Sequence, residues 1–256
     1  MMISIAPIKK TILSASLVLC CIPIFSQIIN IESQRIQTDT TGWSGNLGVS
    51  LTASKNTVSY TAFNAQGHLQ HKTDNDLWLF LVDYDLVRAG DQNFSDSWFS
   101  HVRYNRKIGG VIRVEAFSQA QYNEVSKIDL RLLNGIGLRF KLSDYKRARF
   151  YYGATYMYEY EEVIAEDEIN KDSRLSSYFT FTLTPEKHVF FSNTTYIQPL
   201  FKDFEDYRLS NDTRLVFSIT SQLRFSTTFR FLYDSNPPVE VPNSIYQVNN
   251  GLFFQF

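Results

Sequence analysis

Cysteine is confined to Cys20 and Cys21, inside the first 26 residues. The chain beyond them can hold neither a disulfide nor a thiolate-bound metal. Proline and glycine are also sparse, at 7 and 11 residues in 256, and no Pro-rich, Ser-rich or charge-run linker divides the chain. One domain is expected. There is no basic excess: 25 Lys and Arg face 26 Asp and Glu, and removing residues 1–26 takes Lys9 and Lys10, which leaves 23 against 26, a formal charge of −3. Nucleic-acid binding, which relies on a basic face, is excluded. Beyond residue 26 no apolar run approaches the roughly 20 residues that a membrane-spanning helix needs.

The N-terminus reads as a secretory signal. Lys9 and Lys10 precede an apolar run from Ile12 to Phe25, shorter than a membrane helix, and cleavage is expected near Ser26. The predicted layout is a signal peptide over 1–26, a periplasmic segment over 27–42 and an outer-membrane barrel over 43–256.

From Trp43 onward the dominant period is two, in segments long enough for a tilted strand to cross a bilayer. Phe225, Thr227, Phe229, Phe231 and Tyr233 alternate with Arg224, Ser226, Thr228 and Arg230. Phe150, Tyr152, Ala154, Tyr156, Tyr158 and Tyr160 form a nearly all-aromatic row, and Leu130, Leu132, Ile136, Leu138 and Phe140 form an apolar one. Such rows suit a lipid wall with interfacial aromatic girdles. Gly135 and Gly137 fall on the opposite face, where they leave room for large neighbours.

About twelve strands follow, starting near Trp43, Thr57, Asp76, Phe94, Val111, Lys127, Arg147, Ser173, Lys187, Tyr207, Leu223 and Asn243. The fold class is all-β, a transmembrane antiparallel up-and-down barrel. Its last strand ends on Phe256 and is expected to pair with the first. Links after odd strands should face outside and be the longer ones, as 163–172, 199–206 and 234–242 suggest.

The alternation assigns an inner row of Arg103, Arg113, Arg131, Arg139, Lys141, Arg149, Arg214, Arg224 and Arg230 against Glu115, Asp129, Glu159 and Glu161. Nine positive side chains against four negative ones would favour anions in a confined lumen. The same charges could instead pair across strands and plug the barrel, because large water channels need around 16 strands. Both readings stay open.

Catalytic, cofactor and metal sites are not predicted. His101 falls on the inner face and Ser100 on the outer, which separates nucleophile from base, and no G-x-S-x-G string is present. The acidic run Glu159, Glu161, Glu162, Glu166, Asp167, Glu168 and Asp172 lacks the spacing of a calcium loop and reads as a solvated loop.

Several strings carry a family resemblance: HVRYNRKI at 101–108, EAFSQAQYN at 115–123, GIGLRFKL at 135–142, YMYEYEE at 156–162, LSSYFTF at 175–181, TTYIQP at 194–199 and the terminal NGLFFQF. Together they resemble domain-of-unknown-function family 481, the YdiY-like outer-membrane proteins, in the form found in Bacteroidetes. The similarity runs from about His101 to Phe256, and Ile28 to Ser100 match more loosely. It implies location and fold, not a substrate.

The resulting expectation is a non-enzymatic outer-membrane barrel, either a small pore favouring anionic solutes or a plugged barrel with a structural or envelope-stress role. Its expected partners are outer-membrane lipid, lipopolysaccharide and, during biogenesis, the barrel-assembly machinery. A lipid or lipopolysaccharide hydrolase and a soluble sandwich or lipocalin-like binder are the alternatives.

Overall fold

Side chains alternate across a strand, so a run with one apolar row and one polar row builds a sheet whose two faces differ in solvent preference. In the computed structural model, which describes residues 30–32, 35, 40–145, 147–164, 169–186 and 188–254, twelve strands follow this rule. They are β1 (Gly42–Lys55), β2 (Ser59–Lys72), β3 (Asp76–Ala89), β4 (Gln92–Lys107), β5 (Ile112–Asn123) and β6 (Ile128–Tyr145), then β7 (Ala148–Val163), β8 (Ile169–Leu183), β9 (Val189–Leu200), β10 (Asp203–Ser218), β11 (Leu223–Asp234) and β12 (Ser244–Phe254). Each begins within four residues of its predicted start. The predicted signal segment and Phe256 lie outside the described residues.

Every strand pairs antiparallel with its sequence neighbours in one sheet ordered β1 to β12. The sheet curls into an up-and-down barrel, because side chains from strands that are not neighbours meet inside it. Tyr178 of β8 bonds Glu115 of β5 at 2.6 Å, and Arg208 of β10 reaches Glu159 of β7.

The faces are inverted relative to a soluble protein. Among the described residues, thirty buried side chains are polar or charged and eleven are apolar, while Leu47, Leu51, Ile136, Tyr246 and Leu252 stand more than 60% exposed on the outside. A soluble sandwich or lipocalin-like binder buries its apolar rows, so this distribution argues against that alternative.

Two inward glycines accommodate large rings. A Cβ on Gly135 would stand 2.3 Å from Cε1 of Phe117, and one on Gly153 would stand 2.2 Å from Cε1 of Tyr178.

Three features differ from the sequence reading. Strands run further than predicted, so the links expected to be long at 163–172 and 199–206 shrink to 164–168 and 201–202, and only 235–243 remains long. Between β2 and β3 the link is a turn of three residues, 73–75.

The second difference lies at the seam. The expected pairing of the first and last strands is not among the ladders of the described residues, which stop at β1 and β12. Most side chains on the inner faces there are small or polar, such as Ser44, Asn46, Gly48, Gln247 and Asn249, with Ile245 and Phe253 beside them, and neither strand holds a buried residue.

The third concerns the described residues before β1, for which the sequence gives no contact with the barrel: Asn30, Ile31 and Glu32 are buried inside it. Ile31 clusters with Leu79, Leu81 and Phe99, and Asn30 donates to the carbonyl of Thr194 at 3.0 Å.

Candidate functional site: an occluded lumen below a cationic vestibule

The inner faces of β4 to β10 carry two layers of buried charge. The first is centred on Glu32. Its carboxylate accepts from Arg103 at 3.0 Å and from Arg139, and Arg35 Nε lies 3.0 Å away as an ion pair. Arg139 also donates to the Tyr178 hydroxyl at 3.0 Å, and that hydroxyl donates to Glu115. Asn105 donates to the other Glu115 oxygen at 2.7 Å. The guanidinium of Arg139 lies 4.1 Å from the centre of the Tyr151 ring, close enough for a cation–π contact.

The second layer is centred on Glu159. It meets Arg131 at 3.0 Å, Arg174 at 2.9 Å and Arg208. Arg131 also pairs with Glu161, Arg174 with Asp206 at 2.9 Å and Arg208 with Asp234 at 2.9 Å. Buried charges persist only when paired this fully, because a lone one would have to give up its hydration.

Between the layers almost no space is left. Ile31, His101, Phe117, Leu133 and Met157 help to enclose a gap of about 20 Å³, room for one or two waters. His101 Nδ1 lies 3.0 Å from the Gln119 amide oxygen, and Arg103 donates to its Nε2 at 3.3 Å. Ser100 lies on the opposite face of β4 from the buried His101, so the two do not form a nucleophile–base pair.

Toward the end where the chain enters β1, the lumen widens into a cavity of about 300 Å³. Seven cationic side chains line it, Arg35, Lys72, Lys107, Arg113, Arg139, Lys141 and Arg149, against two carboxylates, Glu32 and Asp76. We call this the vestibule.

The predicted inner row therefore divides by place. Arg103, Glu115, Arg131, Arg139, Glu159 and Glu161 are buried in the two layers. Arg113, Lys141 and Arg149 line the vestibule, as does Arg139. Arg214, Arg224 and Arg230 are exposed on β10 and β11, where Arg230 bonds Asp212 at 3.0 Å. Asp129 is corrected: it is exposed, at a bulge between Ile128 and Leu130, and it joins neither layer. A bulge inserts one residue and breaks the alternation on which the prediction relied.

The sequence reading missed Glu32, Arg35, Arg174, Arg208, Asp206 and Asp234. Counting back by twos from Arg214 reaches Arg208, and from Tyr178 reaches Arg174, so period alone could have found those two. With the missed groups included, the first layer has three cations and two carboxylates, and the second has three and four. The positive excess predicted for the whole lumen is cancelled at mid-height and survives in the vestibule.

The family model described as "Protein of unknown function, DUF481" matches residues 45–256. That match takes in all twelve strands except the first residues of β1. Among solved structures, the NanC porin in a rhombohedral crystal form aligns at 12% identity with a TM-score of 0.47, covering 82% of this chain and all of that one. No curated protein matches the chain.

Proposed function

The chain belongs to the DUF481 family, and we propose that it is a non-enzymatic outer-membrane barrel that admits small anionic solutes through its vestibule and is closed at mid-lumen in this state. The apolar outer rows would face lipid and lipopolysaccharide, and the barrel-assembly machinery would insert the chain after export. With the chain exported and entering β1 from the periplasm, the vestibule is the periplasmic mouth.

One observation carries the reading: seven cations against two carboxylates around a cavity of about 300 Å³. In a confined space with low-dielectric walls, such an excess lowers the barrier to anions and raises it to cations. The test is a reversal potential measured across a bilayer under a potassium chloride gradient. Anion preference is expected, and cation preference would overturn the reading.

The gap of about 20 Å³ supports a second reading, a sealed barrel with a structural or envelope-stress role. A reconstituted protein that stays silent both as it is and with residues 27–35 deleted would favour it.

A further inference from the structure

Glu32 is not part of the barrel wall, yet it is the carboxylate on which the first buried layer converges. Arg103 comes from β4 and Arg139 from β6, and both bond it. Two guanidiniums meeting on one carboxylate make a site that a free carboxylate could also satisfy.

The site borders the vestibule at Arg139 and Glu32, both buried, while Arg103 lies deeper, against the gap between the layers. Arg139 and Glu32 themselves line that cavity, so a solute held there would touch the guanidinium that holds Glu32. Glu32 lies ten positions before Gly42 at the start of β1, a length of chain that extended spans roughly 33 Å. It could withdraw through the vestibule while β1 stays paired with β2.

Simple withdrawal would be costly. Arg103 and Arg139 would then face Glu115 from 4.0 and 3.8 Å, without the carboxylate that now bonds both. An incoming carboxylate removes that cost by taking the vacated place. Exchange is therefore favoured over unassisted opening.

We propose that Arg103 and Arg139 form a binding site for a carboxylate-bearing solute, that Glu32 occupies it in the closed state, and that such a solute entering from the vestibule displaces the N-terminal segment. The inference rests on the vestibule being an anion entry.

The test uses a single-cysteine reporter. In the full chain with Cys20→Ser and Cys21→Ser, Ile31→Cys places one thiol at a position 2% exposed. Asn30→Cys serves as a second reporter in case the first perturbs the cluster. Each protein is folded in lipid vesicles, checked for its heat-dependent gel shift and labelled with neutral N-ethylmaleimide.

Citrate is expected to speed labelling about tenfold over potassium chloride at equal ionic strength. Adding Glu32→Gln should speed labelling without citrate and flatten the citrate response. Labelling in citrate no faster than in chloride, or a Glu32→Gln protein that labels as slowly as its parent, would each overturn the proposal. The labelling needs no conductance, so a cation-preferring reversal potential would sink the pore reading while leaving displacement to be judged by its own result.

Discussion

The hydroxyl of Tyr178 on β8 donates to Glu115 on β5 at 2.6 Å, spanning the interior over the two strands between them. Tyr178 also accepts from Arg139, so one phenol links a carboxylate to a guanidinium inside the first layer.

Tyr178→Phe keeps the ring that packs over Gly153 and removes only the hydroxyl. One buried carboxylate oxygen then loses its donor, at a cost of about 1–3 kcal/mol. The barrel should assemble and shift on a gel at a lower temperature than the parent protein. An unchanged shift temperature would show that water or a rotated partner replaces the phenol.

Gly135→Ala places a methyl where the Phe117 ring now lies, 2.3 Å from Cε1. The yield of assembled barrel should fall. Adding Phe117→Leu should restore it, because the smaller side chain vacates the volume that the methyl takes. Restoration by the double variant separates this steric cause from a backbone one.

Glu159→Gln removes the charge shared by Arg131, Arg174 and Arg208. Buried cations left without compensation cost about 3–5 kcal/mol, so heat stability should drop more than in Tyr178→Phe. The exposed pair Lys127–Glu240, 2.9 Å apart across two loops, is the contrast. Lys127→Ala should leave the shift temperature unchanged, since solvent screens an exposed pair.

Acid should release the N-terminal segment only well below neutrality. Burial pushes the Glu32 carboxyl up, but Arg139, Arg35 and Arg103 together outweigh it and hold it at about 2 against its usual 4.5. A depressed value means that the stabilisation is fully present above 4.5 and is lost as pH falls from there through about 2. A nitroxide on Asn30→Cys should stay immobile from about pH 8 to 5 and become mobile below that range. Mobility gained between pH 8 and 6 would contradict the assignment.

Much of the fold was legible because strands obey a local rule. Period-two rows located all twelve strands and put His101, Arg131 and Glu159 on the inside without reference to any partner. The rule fails where its period fails. Asp129 sits in a bulge, and no composition signal near Ile128 announces the extra residue. Link lengths were misjudged because polar residues such as Asp203 and Glu205 continue a strand as readily as they end it.

The site was less legible. Alternation states which face a side chain is on and is silent about which distant strand lies opposite, so Glu159 with Arg208 could not be paired from sequence. Nor does period apply to a segment that is not a strand, and Glu32 belongs to one.

Sequence by itself determined the strand number and the antiparallel order, because each depends on residues a few positions apart. Only the tertiary structure decided that the charge cancels at mid-lumen, that a positive excess remains in the vestibule, and that Asn30, Ile31 and Glu32 lie inside the barrel. Those outcomes depend on which charges meet across the curved sheet, and a buried charge is tolerated only where a partner from elsewhere in the chain arrives to meet it.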